Sequence, residues 1–430
     1  MKTIEGHNVK IFTDMIDENA IGQIKQLLSI NVFADKKIRI MPDVHAGASC
    51  VIGFTGDLGE KVIPNIVGVD IGCGMRVLNL GDVNDIDYHA FHEYIRASVP
   101  SGKIAREDKF GFKPLIGEEM EVYREAKELI KGLYCYRELK DTGRIQKSIG
   151  TLGGGNHFIE LDKDDIGNVY LVIHTGSRNL GLQVANIYQE KAVKHLTDGS
   201  DDLELRIREI IEEYKAVGRR NELQDIIKKM RKEQQHIEPA LPAELCYVEG
   251  EAREHYLHDM RICQQWAVLN RKLISILLLK FFKEVKIKNE FESVHNYISD
   301  DNMIRKGAIS AAKGERCIIP LNMRDGSLLC TGKGNTDWNC SAPHGAGRIL
   351  SRSQAYEQIT MEDFESSMNG IYSESINEFT RDEAPMVYKP AEAIIDNIRN
   401  RENQQPCGNG NTENLDNFSF KKISCNQTNI

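Results

Sequence analysis

Apolar residues fall into two kinds of run along this chain: short blocks closed by glycine, and longer stretches in which they recur at helical spacing. Residues 1–83 follow the first pattern and predict short strands with one helix, around Asp17–Ser29. The segment MPDVHAGASCVIGFTGDLG is too glycine-rich for a helix and too apolar for disorder, which predicts a buried loop between strands. Ile66, Val67, Val69 and Ile71 predict an interior strand with Asp70 in its middle. Residues 84–148 are mainly helical in pattern, most clearly in EEMEVYREAKELIKGLY. SIGTLGGGNHFIEL and VYLVIHTGSRNLG each join an apolar strand to a glycine-bearing loop with one histidine. Residues 184–285 are charged and helical, and predict a helical insertion between strands. Strand-and-loop character returns at Phe291, and glycine is dense again through Gly347. Residues 401–430, rich in Asn, Gln and Gly, predict an irregular tail. The pattern supports a mixed α/β class.

Composition narrows the setting more than the fold. A chain of 430 residues, 41% hydrophobic and 28% charged, can bury a large core. A formal charge of −9 argues against nonspecific coating of nucleic acid but leaves room for a local basic groove. Ten cysteines without a CxxC pair or framework spacing, and an N-terminus without an apolar signal core, point to a reducing, cytoplasmic compartment. The most lipid-like run, LISILLLKFF, is too short to span a bilayer and contains Lys280, so no membrane association is expected.

The candidate chemistry sits where apolar runs end. Asp70 in a dry setting requires a positive neighbour, and Gly68, Gly72 and Gly74 let Cys73 turn toward the same centre. A carboxylate oxygen and a polarisable sulfur meeting there suit a transition metal. His157 in GGGNHF, His174 in VIHTGSRN and His295 in VHNY follow comparable runs, each a candidate ligand or a satisfied core histidine. A mixed carboxylate, imidazole and thiolate set favours Mn, Fe, Co or Zn over Mg or Ca, as one ion or two. The clusters GGGNH, HTGSRNLG, CTGKGN and HGAGR, with Arg178, Lys333 and Arg348 in or beside them, suggest a phosphate-bearing ligand; each alone also fits a tight turn. His344 lies in a loop with exposed amides and Arg348 close by, a setting for a nucleophile attacking phosphorus. Asp43 in PDVHAG is the candidate acceptor for its other ring nitrogen; a turn histidine or fifth metal ligand is the alternative for His344.

PDVHAG, VGVDIGCGM, LGGGNHFIE, HTGSRNLG, VHNY and SAPHGAGR, in this order from about Ile40 to Pro390, resemble the RtcB family of RNA ligases, in a shorter subgroup with the SAPHGAGR loop. The resemblance implies one compact α/β catalytic domain with a layered central sheet over residues 1–400, interrupted by the helical insertion. It implies two Mn(II) ions: one on Asp70, Cys73 and His157, the other on Cys73, His174 and His295, with the cysteine bridging. It implies GTP as cofactor, with guanylylation at His344. Nucleotide contacts would come from Asn156, His157, Glu160, His295, Asn296, Pro320, Met323, Ser327, His344, Gly345, Ala346, Gly347, Tyr388 and, from the tail, Lys422 or Lys421. RNA bearing a 3′-phosphate or 2′,3′-cyclic phosphate end and RNA bearing a 5′-hydroxyl would be joined, in RNA repair or tRNA splicing, with room for an activating protein partner. Leu321-Asn322 departs from the family's Gly-Ser between the equivalents of Pro320 and Met323, and the C-terminus departs from the family's closing strand. The alternatives are a dinuclear metallophosphoesterase or nuclease, and an RNA-binding relative without ligase activity.

Overall fold

A computed structural model describes residues 1–106, 114–197, 200–216, 219–234 and 238–399, and the backbone of 418–425. Two sheets carry the molecule. The first orders its strands Lys2–Thr3, Val9–Ile11, Ile38–His45, Ile52–Asp57, Met303–Lys306 and Asn296–Ile298. The second runs Asn289–Val294, Gly74–Asp82, Asn168–Thr175, Phe158–Lys163, Phe418–Cys425, Gly326–Gly332 and Arg316–Asn322, antiparallel throughout. His295 is the single residue between Asn289–Val294 and Asn296–Ile298, so the chain crosses from one sheet to the other there. A mixed α/β domain of layered sheets, as expected, is what forms.

The 30-residue helix Gly250–Leu279 packs into the core rather than beside it. Trp266, Leu273, Ile274 and Leu278 are fully buried, and so are the polar Asn270 and Arg271. Arg271 donates to the carbonyls of Gly72 at 3.0 Å and Thr175 at 2.8 Å, and pairs with Glu292 at 2.6 Å. Asn270 accepts from the Gly150 amide at 2.7 Å and donates to the Thr151 carbonyl at 3.1 Å. Through these bonds the helix fixes the loops before Cys73 and His157. The 184–285 region is therefore not one insertion: helix Arg178–His195 and helix Gly250–Leu279 belong to the core, with helices Ser200–Ala216 and Leu223–Gln234 between them.

Three further expectations are corrected. Ile66–Ile71 is not a strand: Pro64–Val67 forms one short helical turn, closed by Gly68 at φ +94°, and Asp70 lies in the following turn. Proline at the first helical position and glycine just past the last explain the stop. The buried loop expected around PDVHAG is largely strand, since Ile38–His45 carries Met41 to His45 in extended form. The tail is not irregular throughout: Phe418–Cys425 fills the gap between Phe158–Lys163 and Gly326–Gly332. Lys422 pairs by backbone with Leu328 and Lys421 with Leu329; their side chains lie outside the described residues. Helix Glu18–Leu28, capped by the Asp17 carboxylate on the Ala20 amide, forms where it was expected.

Candidate active site

Strand register explains why residues far apart in sequence converge. Val294 faces Gly74, Gly74 faces Thr175, and Met75 faces His174, which in turn faces Phe158. Cys73, His157 and His295 each lie one residue beyond a strand end, and His174 lies one residue inside its own. Neighbouring strands stand about 4.8 Å apart, so four adjacent strands deliver one thiol and three imidazoles to a single sheet edge. The backbone ladder continues past the strand ends, with the His295 amide donating to the Cys73 carbonyl at 2.9 Å.

Cys73 Sγ lies 3.4 Å from Nε2 of both His157 and His174. The Asp70 carboxylate reaches His157 Nε2 at 3.0 Å and accepts from the Ser177 amide at 3.0 Å. Donor atoms fall into two sets that share Cys73: Asp70, Cys73 and His157, and Cys73, His174 and His295, each set within 4.8 Å. Nδ1 of His157 donates to the Leu152 carbonyl at 3.0 Å and Nδ1 of His174 to the Asn156 carbonyl at 2.9 Å. Those bonds fix the tautomer that leaves Nε2 free as a ligand. His295 Nδ1 is buried without a partner among the described residues. The residues present therefore fit a pair of borderline transition ions.

Electrostatics agree with that fit. Burial, followed by the charges of neighbouring histidines, holds the pKa of His174 and His295 well below the usual imidazole range, so both are neutral. Burial opposes ionisation of Asp70, but the contact with His157 and the Arg178 charge outweigh it and hold the carboxyl below its ordinary range. Burial and the Asp70 charge push the Cys73 thiol well up. A bound cation would reverse that preference.

His344 stands at the edge of this centre, its ring centroid 4.8 Å from that of His295. Asp43 Oδ2 accepts from both His344 Nδ1, at 2.6 Å, and the His344 amide, at 3.0 Å. Asp43 is fully buried near the end of its strand. Gly347, at φ +78°, passes so close that a Cβ there would sit 2.1 Å from the Asp43 carbonyl oxygen, so only glycine lets this loop lie against the aspartate strand. Lys389 Nζ donates to the carbonyls of Pro42 at 2.9 Å and Val44 at 2.8 Å, gripping the chain on both sides of Asp43. Burial brings its pKa down to about 8. Sequence reading missed Lys389; its one signal was a lysine directly after Tyr388 in an otherwise apolar stretch.

Beside His344 opens a cavity of about 330 Å³. Asn156, His157, Glu160, His174, Pro320, Met323, Gly345, Ala346, Gly347 and Tyr388 line it, as do Leu321 and Asn322. Ser327 stands behind that wall, donating to Glu160 at 3.3 Å. Asn296 uses its side chain within the fold, bonding the Asp70 carbonyl at 3.3 Å and the Gly307 amide at 2.9 Å. Tyr388 donates to Glu383, and the Arg348 guanidinium stands 5.5 Å over its ring. Arg348 also donates to the carbonyls of Leu350 and Asp382, at 3.1 and 2.7 Å. Lys333 is exposed and does not line the cavity. Its glycine cluster follows the far end of strand Gly326–Gly332. His45, Gly155, Phe158 and Arg348 also line the cavity, as do Arg352, Ser375, Thr380 and Glu383; these last four follow the last histidine motif in a segment without a glycine cluster, which is why sequence reading passed over them.

Among the described residues no helix is long and apolar enough to cross a membrane. The chain matches the family model described as tRNA-splicing ligase RtcB over residues 23–403. It is 28% identical over 420 residues to an RNA-splicing ligase RtcB of Escherichia coli strain K12, with 91% of this chain and 93% of that protein covered. It is 27% identical over 444 residues to a tRNA-splicing ligase RtcB of Aeropyrum pernix, with 83% of this chain and 82% of that protein covered. Because the model match spans every residue placed above, from Asp43 to Lys389, the chain belongs to the RtcB family.

Proposed function

We propose that this chain is a GTP-dependent RNA ligase that joins RNA 3′-phosphate or 2′,3′-cyclic phosphate ends to 5′-hydroxyl ends through a guanylylated His344. The observation that carries the reading is the His344–Asp43 pair, 2.6 Å apart, opening onto the cavity beside the shared-cysteine centre. Asp43 holds Nδ1 and so directs the other ring nitrogen outward as nucleophile. That nitrogen attacks the α-phosphorus of GTP; the N–P bond forms as the bond to pyrophosphate breaks. A cyclic phosphate end is first opened by water, which adds to phosphorus as the bond to the 2′-oxygen breaks; the RNA 3′-phosphate then displaces the histidine to form an RNA–pp–G end, and the 5′-hydroxyl oxygen displaces GMP to close the phosphodiester. Asp70, Cys73, His157, His174 and His295 would hold two Mn(II) ions, which neutralise phosphate charge and lower the pKa of a bound hydroxyl. Glu160, Asn156 and Tyr388 offer polar and aromatic contacts to a base, and the Gly345–Gly347 amides face a phosphate. The reading places the protein in the cytoplasm, acting in RNA repair or tRNA splicing, and leaves room for an activating protein.

Incubation with α-labelled GTP and Mn(II) tests it. Wild type is expected to retain an acid-labile covalent label, and His344→Ala none. Unlabelled wild type that still cleaves cyclic phosphate ends would favour a dinuclear phosphoesterase instead.

A further inference from the structure

A second cluster of metal-ligating side chains lies away from this site, on helix Tyr88–Ser98. His89, His92 and Glu93 stand at spacings of three and four residues, which puts them on one helical face. Glu374 comes to that face from nearly three hundred residues further along the chain. Its carboxylate lies 2.6 Å from His89 Nδ1 and 3.3 Å from His92 Nε2. One donor atom from each of His92, Glu93 and Glu374 lies within 4.8 Å of the others. Tyr372 donates to Glu374, and its ring stacks on Tyr88 with centroids 5.8 Å apart, so the segment is seated against the helix.

A plain ion-pair network accounts for His89, whose pKa is raised by the bond to Glu374 and the charge of that carboxylate. It does not account for His92. That ring is 97% buried (3% exposed), and its Nδ1 has no hydrogen-bond partner among the described residues. A buried imidazole beside two carboxylates is a donor set suited to a divalent cation.

We propose that His92, Glu93 and Glu374 form a further metal site for a borderline divalent transition ion of the Zn²⁺ class, with His89 holding the Glu374 carboxylate from outside it. The set contains nitrogen and oxygen donors and no thiolate, which separates it chemically from the Cys73 centre. Its place in the fold gives it a task. Glu374 directly precedes Ser375, and the chain from there supplies Ser375, Thr380 and Glu383 to the wall of the cavity beside His344. An ion here ties that wall to helix Tyr88–Ser98. The inference stands on these four residues and does not depend on the ligase reading.

Equilibrium dialysis of the metal-free full chain against Co(II) tests it, because cobalt bound by thiolate has a charge-transfer absorption that reports the Cys73 centre separately. The double variant His92→Gln/Glu374→Gln is expected to bind one equivalent fewer than wild type, with the thiolate absorption unchanged. His89→Ala removes a ring whose side chain is 71% exposed, so it leaves the melting temperature of the metal-free chain unchanged. It is expected to weaken that same equivalent by more than about tenfold, since loss of an outer-shell partner alone costs that much. Wild-type stoichiometry in the double variant, or unaltered affinity at every site in His89→Ala, overturns the proposal and leaves an ion-pair network.

Discussion

Cys73→Ala is expected to strip the chain of its site-bound transition ions at the sheet edge and to reduce RNA joining by at least about 10³-fold, a loss of several kcal/mol of barrier lowering. The reason lies in the sharing of one sulfur. Cys73 is the only side chain present in both donor sets, and without it each set keeps two donors. Two donors in a buried pocket hold a divalent ion poorly, because ions that shed water need more ligands in return. The fold should lose little: Cys73 is 3% exposed, behaves as a small apolar side chain, and its removal costs about 1 kcal/mol. Metal content by mass spectrometry, measured beside the melting temperature, separates the two effects. Retained metal in a folded variant would show that the sulfur is not a ligand.

Asp43→Asn is expected to slow guanylylation by about 10²- to 10⁴-fold while leaving metal content at the wild-type level. The upper figure is that of the aspartate-to-asparagine change behind the catalytic histidine of serine proteases. Asp43 Oδ2 accepts two bonds, one from the ring and one from the amide of His344. An asparagine carbonyl in the place of Oδ2 can accept both bonds, but it lacks the charge that stabilises a positive imidazole, and it puts a donor where Oδ1 is buried without a partner among the described residues. Lys389 grips the backbone on either side of Asp43 rather than its carboxylate, so the strand itself should hold its place. The single-turnover rate of labelling from GTP reads this effect directly. Equal rates in the two proteins would remove Asp43 from the chemistry.

Much of this site was legible because the chemistry-bearing residues interrupt apolar runs. His157, His174 and His295 stand at strand borders, where a histidine breaks the pattern, and all three reach the sheet edge. Asp70 was placed in the right neighbourhood on a wrong element. Ile66 and Val67 form a helical turn after Pro64, and Val69 is 45% exposed, so the apolar run never becomes a strand. Periodicity cannot separate short buried helices from short buried strands. Helix Gly250–Leu279 was read as part of an insertion because charges dot its sequence. Arg271 among them is fully buried, and its guanidinium serves carbonyls from two distant loops, a pairing no local pattern carries. In the tail, the weak alternation of FSFKKISC is hidden by the flanking Asn and Gly. Its strand is defined by the partners Phe158–Lys163 and Gly326–Gly332 rather than by its own residues. The cluster on helix Tyr88–Ser98 escaped for the same reason, since Glu374 is joined to His89 only by tertiary packing.

If two ions share Cys73 beside the Asp43-held His344, anomalous diffraction from crystals grown with Mn(II) will show two peaks flanking Cys73 Sγ, one toward Asp70 and His157 and the other toward His174 and His295, with His344 at their edge. A lone peak that leaves Cys73 unliganded, or no peak at that sheet edge, would contradict it.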